Sequence, residues 1–238
     1  MGENKQWIIA HRGASGLVEH ENTIEAFEKA IEVGSDSIEC DIRKTKDGKI
    51  IVVHNPDYNN KLISEYTYEE LCEETKKDGF IMPLYEDALE CVKGRIFIDV
   101  ELKEAGYEEE VVEVTLKHLT PTEFFFRSFI GPAIKRIKEI NPDIKTVLLV
   151  GAEKPRFGFF SRLAEIYPYH SVKKYDADMV SPHYLLVRWG FTKRLHRHKV
   201  PVLVWTVNEE DIMDKLLNKE KVDAIITNYP DKALTLRK

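Results

Sequence analysis

Short apolar runs rich in Val, Ile and Phe alternate along the chain with longer stretches in which apolar residues recur every three or four positions. The first periodicity predicts strands and the second predicts helices, so the chain reads as repeated βα units. Strands are predicted over residues 7–10, 36–42, 95–101, 123–127, 145–150, 177–181, 200–206 and 223–227. Helices are predicted over 23–33, 108–118, 132–140 and 209–218, with two shorter helical patterns at 67–77 and 84–92. Eight such units in 238 residues point to a (β/α)8 TIM barrel, because closure leaves no sheet edge exposed. An open doubly wound sheet is the alternative. No repeat, low-complexity tract or Gly/Ser linker interrupts the chain, so a single domain over residues 1–238 is expected, with a small insertion at 55–94.

The insertion follows a hairpin. Asp47-Gly48 lies between two β-prone runs, 38–46 and 49–54, and Asp-Gly is a strong short hairpin signal. A two-residue turn there sets Lys46 opposite Lys49 and, counting outward, Asp41 opposite His54. Glu39 and Asp41 share a strand face because side chains two apart point the same way. Glu101 closes the apolar run from Ile96, at the carboxyl end of a strand, where barrel enzymes keep their sites. Carboxylates gathered on one face must be solvated, paired or bound to a cation. An all-oxygen set suits Mg2+ or Ca2+, although surface salt bridges account for such spacing equally well.

Two further positions carry candidate chemistry. His11-Arg12 leaves the first strand into Gly13-Ala14-Ser15-Gly16, setting a titrating imidazole beside a bidentate cation, as a phosphate ester requires, although such a dipeptide is more often structural. His183, after Ser181-Pro182, falls at the carboxyl end of a strand and is expected to line a pocket. His196 and His198 stand in a basic run and read as helix-end cations rather than ligands. The aromatics Phe157, Phe159, Phe160, Tyr167, Tyr169, Tyr184 and Trp189 read first as packing residues and second as contacts to a lipid chain.

Charge and composition narrow the field. With 35 Lys and Arg against 41 Asp and Glu the net charge is −6, which excludes a basic nucleic-acid binder as the default. No apolar run approaches the ~20 residues of a membrane span. The amino terminus lacks an apolar signal core, and three cysteines without CxxC spacing disfavour a disulfide framework, so a cytoplasmic setting is expected. GxSxG, GxxxxGK[ST] and HExxH are all missing from the sequence.

His11-Arg12-Gly13, Glu21-Asn22-Thr23, Gly34 to Asp41, Thr45 to Gly48 and Val52-Val53-His54 together resemble the signature of the glycerophosphodiester phosphodiesterase family. The likeness continues through Glu101-Leu102-Lys103, Ser128-Phe129, Val204 to Asn208 and Asp223 to Asn228. The resemblance implies a barrel that hydrolyses glycerophosphodiesters to sn-glycerol 3-phosphate and an alcohol with a divalent cation. It implies metal carboxylates at Glu39, Asp41 and Glu101, and acid/base histidines at His11 and His54. It further implies phosphate contacts at Arg12 and Lys103, and an aromatic near the glycerol pocket at Trp205. Asn55 stands where the family usually has aspartate, and Asp99-Val100 departs from the usual residues before Glu101. Alternative expectations are a lysophospholipase D acting on lysophospholipids and a non-catalytic barrel that binds phosphorylated ligands.

Overall fold

The computed structural model describes residues 5–151 and 165–238. Eight parallel strands carry the architecture: β1 (Trp7–Ala10), β2 (Ser37–Lys44), β6 (Phe97–Leu102), β7 (Phe124–Ser128), β8 (Lys145–Val150), β9 (Met179–Pro182), β10 (Leu203–Val204) and β11 (Ala224–Thr227). They run in the order β10-β11-β1-β2-β6-β7-β8-β9, and the bridges Val180↔Val202 and His183↔Trp205 bring β9 back to β10. The ring is therefore a nearly closed barrel, as the repeated βα pattern implied. Around it lie α1 (Ile24–Glu32), α3 (Tyr85–Val92), α4 (Glu108–His118), α5 (Gly131–Ile140), α6 (Tyr169–Lys174), α7 (Phe191–His196), α8 (Glu210–Asp214) and α9 (Pro230–Leu236). The short α2 (Tyr68–Lys77) belongs to the segment after the hairpin, with the small ladder β4 (Asp57–Tyr58) and β5 (Lys61–Leu62).

Strand β2 shows how sequence alternation becomes two environments. Seven of its eight residues are buried, because helices cover one face and the barrel interior the other. Ile38, Cys40 and Ile42 join a core with Ala26, Phe27 and Ala30 of α1, whereas Glu39 and Asp41 face inward. Thr23 caps α1 by accepting from the Ala26 amide at 3.2 Å, a contact that stabilises a helix start by roughly 1 kcal/mol. At the amino end the interior is an apolar plug of Ile9, Phe125, Val147, Met179, Leu203 and Ile226, with Trp7 and Phe97 packed against it. Full burial of each such side chain contributes roughly 1.5–3 kcal/mol. The polar layers begin above this plug.

The hairpin forms, but one residue out of the expected register. Strand β3 (Ile50–Val52) pairs Ile42↔Val52, Arg43↔Ile51 and Lys44↔Ile50. The turn is Lys46-Asp47-Gly48, closed by Thr45 N–H to Lys49 O at 2.9 Å, with Gly48 at φ +81°. Thr45 Oγ1 drives this choice by accepting the Lys49 amide at 2.9 Å and donating to Asp47 at 2.6 Å. Val53, not His54, therefore meets Asp41, through N–H to O at 2.9 Å. His54 lies past the strand end, where alternation no longer dictates its direction, and Arg43 Nε holds its carbonyl at 3.0 Å.

Two other boundaries shift. β10 is only Leu203–Val204, shorter than the apolar run 200–206, because Pro201 has no N–H for the ladder. The run 209–218 opens as α8 and continues as a π-helical turn, Lys215–Glu220, that Lys221 ends at φ +55°. Phe157, Phe159 and Phe160 lie outside the described residues.

Candidate active site

Glu39, Asp41 and Glu101 meet at the carboxyl end of the barrel, with ligand oxygens all within 4.8 Å of one another. The register makes this unavoidable. β2 and β6 pair Glu39↔Asp99 and Asp41↔Glu101, so adjacent strands lay their inward carboxylates side by side. All three are nearly inaccessible. Burial, then Asp41, pushes Glu39 well above the usual carboxylate range, and the same two causes raise Glu101. Burial opposes ionisation of Asp41 too, but Lys103 and then Arg12 outweigh it and hold that carboxyl below its ordinary value.

Two cations are set against this cluster. Lys103 Nζ lies 2.9 Å from Asp41 Oδ1 and 2.7 Å from Glu101 Oε1. Arg12 donates its backbone N–H to Glu39 Oε2 at 2.9 Å, keeps Nε 3.2 Å from Asp41 and gives an Nη proton to Glu21 at 2.6 Å. Arg12 adopts φ +53°, and Gly13 follows at φ +78° where a Cβ would lie 2.6 Å from Ala26. Only glycine allows the loop to press this closely on α1. Asn22, named from the sequence only within the Glu21-Asn22-Thr23 motif and given no role there, clasps Asp41: its Nδ2 donates to Oδ2 at 2.9 Å and its Oδ1 accepts the Asp41 amide at 3.3 Å.

The two histidines flank the carboxylates. His11 Nδ1–H donates to Asn228 Oδ1 at 2.7 Å, which turns Nε2 toward Glu39 at 4.0 Å. Burial, then Arg12, lowers His11 to about 3. His54 pairs its Nδ1 with Asn55 Oδ1 at 2.8 Å, so the amide occupies the place of the aspartate usual in the family. Burial lowers His54 as well; Asp41 pulls it up, while Lys103 and Arg12 push it down. His54 is thus within electrostatic reach of Asp41, Lys103 and Arg12 despite the register shift.

On the opposite wall, His183 and Trp205 pack edge to face at 5.1 Å between ring centroids. Trp205 Nε1 donates to Ser181 O at 2.9 Å, and Phe129 meets its ring at 5.4 Å. His183, Tyr184, Trp205, Asn208 and Glu209 line a cavity of about 400 Å³. Beneath the carboxylates, Arg127 is fully buried with Nε 3.0 Å from Asp99 Oδ1 and Nη2 donating to Ser181 Oγ at 2.9 Å. Asp99 thus has its own cation one layer below, outside the carboxylate trio.

His196 bonds Asp223 at 2.7 Å and His198 stacks on Tyr169, so the HxH pair does not converge on a ligand. Asn22, Asn228 and Arg127 are the partners that the sequence reading missed. Asn228 follows the last residue of β11, the position that singled out Glu101 and His183, and Arg127 interrupts a run of phenylalanines.

The sequence profile described as the glycerophosphoryl diester phosphodiesterase family matches residues 11–232. The chain belongs to that family. Membership places it among the phosphodiester hydrolases. A glycerophosphodiester phosphodiesterase of Bacillus altitudinis is 30% identical, over 97% of this chain and 97% of its own length. One from Caldanaerobacter subterraneus subsp. tengcongensis is 26% identical, over 98% of each chain. Among solved structures, the glycerophosphodiester phosphodiesterase of Thermotoga maritima superposes with TM-score 0.79 at 26% identity, covering 99% of this chain and 100% of that one. A phosphodiesterase of Oleispira antarctica, in complex with the product sn-glycerol-3-phosphate, shares the fold with TM-score 0.82 at 24% identity, over 98% of this chain and 96% of that one. No helix among the described residues of this family member is long and apolar enough to cross a membrane.

Proposed function

We propose that the chain hydrolyses glycerophosphodiesters to sn-glycerol 3-phosphate and an alcohol, with one divalent cation, Mg2+ or Ca2+, held by Glu39, Asp41 and Glu101. The observation that carries this reading is the trio of buried carboxylates within 4.8 Å, with a guanidinium, an ammonium and two imidazoles around it. The donor set fits such an ion: three oxygens are hard ligands, and burial leaves Glu39 costly to ionise until a cation is near. When bound, the cation supplies positive charge to the non-bridging phosphate oxygens.

The chain's own residues supply the remainder. Arg12 and Lys103 already lie against Asp41, so a phosphate brought to the cluster meets both, and they offset the charge that builds on its oxygens. His11, neutral at pH 7 and oriented by Asn228, accepts at Nε2 a proton of the nucleophile, either water or the neighbouring glycerol hydroxyl, the latter giving a cyclic phosphate that water then opens. As the new P–O bond forms and the bond to the alcohol breaks, His54 delivers a proton to the departing oxygen. An anionic phosphate nearby raises the proton affinity of both rings, which prepares His54 for the acid role. Trp205 and His183 form the wall against which the glycerol packs.

The direct test is release of glycerol 3-phosphate from glycerophosphocholine, glycerophosphoethanolamine and lysophosphatidylcholine in EDTA, Mg2+ or Ca2+. Metal-dependent turnover of the deacylated esters is the expected result. Turnover confined to the lysolipid would reassign the substrate, and no turnover of any ester by the folded protein would sink the reading.

A further inference from the structure

A stretch of the barrel rim beside His183 has a chemistry that hydrolysis of a small ester in water does not use. Trp189 is 74% exposed and Leu185 43% exposed, both between β9 and α7 and therefore at the carboxyl face that holds the carboxylates. Tyr167, ahead of α6, is 58% exposed on the same face. Single exposed apolar residues need no explanation, but these are joined by arginines. Arg188 lies 5.0 Å from the Trp189 ring, and Arg194 lies 4.8 Å from the Tyr167 ring while donating to the carbonyls of Trp189 and Ile166.

Two independent observations give the patch a direction. Trp189 sits at φ +52°, a left-handed conformation that a bulky aromatic rarely adopts, with its side chain left in solvent. Charge is the second. The chain is acidic overall, at net −6, yet the loop and first turn of α7 over residues 183–194 contain no Asp or Glu and carry Arg188, Lys193 and Arg194. Indole and phenol rings with an apolar body and a polar edge, interleaved with guanidiniums, suit the boundary between water and an anionic bilayer.

We propose that the rim formed by Leu185, Arg188, Trp189, Arg194 and Tyr167 docks the protein on an anionic lipid surface, with the mouth of the barrel facing the bilayer. Docking goes beyond the hydrolytic reading and does not depend on turnover. Combined with that reading, it places the site where lysophospholipids or freshly deacylated headgroup esters are richest.

The test is co-sedimentation with vesicles of phosphatidylglycerol and phosphatidylcholine, compared with pure phosphatidylcholine, using the wild-type chain, Trp189→Ala, and Arg188→Ala with Arg194→Ala. Wild type should pellet with the anionic vesicles and lose this in high salt, because screening shortens the reach of the arginines. Each removed arginine should lower the partition coefficient about fivefold, and Trp189→Ala at least as much. Unchanged melting temperatures would show that the variants are folded, and unchanged turnover of a water-soluble ester would separate docking from catalysis. Wild type remaining in the supernatant with anionic vesicles, or variants that pellet as wild type does, would overturn the proposal.

Discussion

Asp99 and Glu101 stand two residues apart on one strand, point into one barrel and are both buried, yet they meet different fates. Asp99 faces Arg127, a guanidinium anchored by Ser181 and sealed from water. Glu101 faces Asp41 and Glu39, and shares with Asp41 a single lysine that enters from the loop above. The lower carboxylate is matched by a fixed charge of the protein. The upper cluster gathers three carboxyl groups against two side-chain cations, Arg12 and Lys103, which suits it to take a divalent ion from solution. On the proposed function one layer is structural and the next chemical, and the boundary between them is a single pleat of β6.

The largest effect should come from the upper layer. Asp41→Ala removes a proposed cation ligand and the partner of Arg12, Lys103 and Asn22, and turnover should fall by about 10³-fold while the barrel persists. Steady-state release of glycerol 3-phosphate, beside a circular dichroism spectrum, checks both halves. In the lower layer the loss should be of stability: above pH 8, where Asp99 is ionised, Arg127→Leu leaves it buried without a cation, at a cost of about 3–5 kcal/mol read from urea unfolding. Equal stability of that variant and wild type would erase the distinction between the layers.

His11→Ala should lower kcat by about 10²-fold with little change in melting temperature. The pH dependence of stability offers a quieter contrast. Burial pushes Asp99 up to about 8, with Arg127 pulling the other way, above the ~3.9 of an unfolded chain. The folded state then binds the proton more tightly, so this stability is full below pH ~4 and is lost as pH rises toward 8. The metal-free melting temperature should fall over that interval in wild type and fall less in Asp99→Asn. The smallest effect should be that of Asn55→Asp, which adds a charge beside His54 Nδ1 and should raise the pH of the limb that His54 controls in kcat/KM, with rate changes under about tenfold.

Much of this was legible in the residues because strand-end position and side-chain alternation are local rules. Glu39, Asp41 and Glu101 needed only the period of two and the end of an apolar run. Closure of the ring followed from counting βα units. The hairpin register was misread because Asp-Gly signals a turn without fixing its length, and the deciding contact is Thr45 Oγ1 on the Lys49 amide, two side-chain bonds that no periodicity reports. Arg127 was overlooked for the opposite reason. Its partner Asp99 lies on the neighbouring strand, and only the pairing of β6 with β7 brings them together. Asn22 and Asn228 reach Asp41 and His11 across 19 and 217 residues of chain, which spacing alone cannot connect.

The contrast between the two acidic layers is most directly tested by calorimetric titration of Ca2+ and of Mg2+ into the wild-type chain, Glu101→Gln and Asp99→Asn. One ion should bind per chain in wild type and in Asp99→Asn, and binding should be lost in Glu101→Gln. Undiminished binding in Glu101→Gln, or loss of binding in Asp99→Asn with a folded barrel, would contradict the assignment of the upper carboxylates as the cation site.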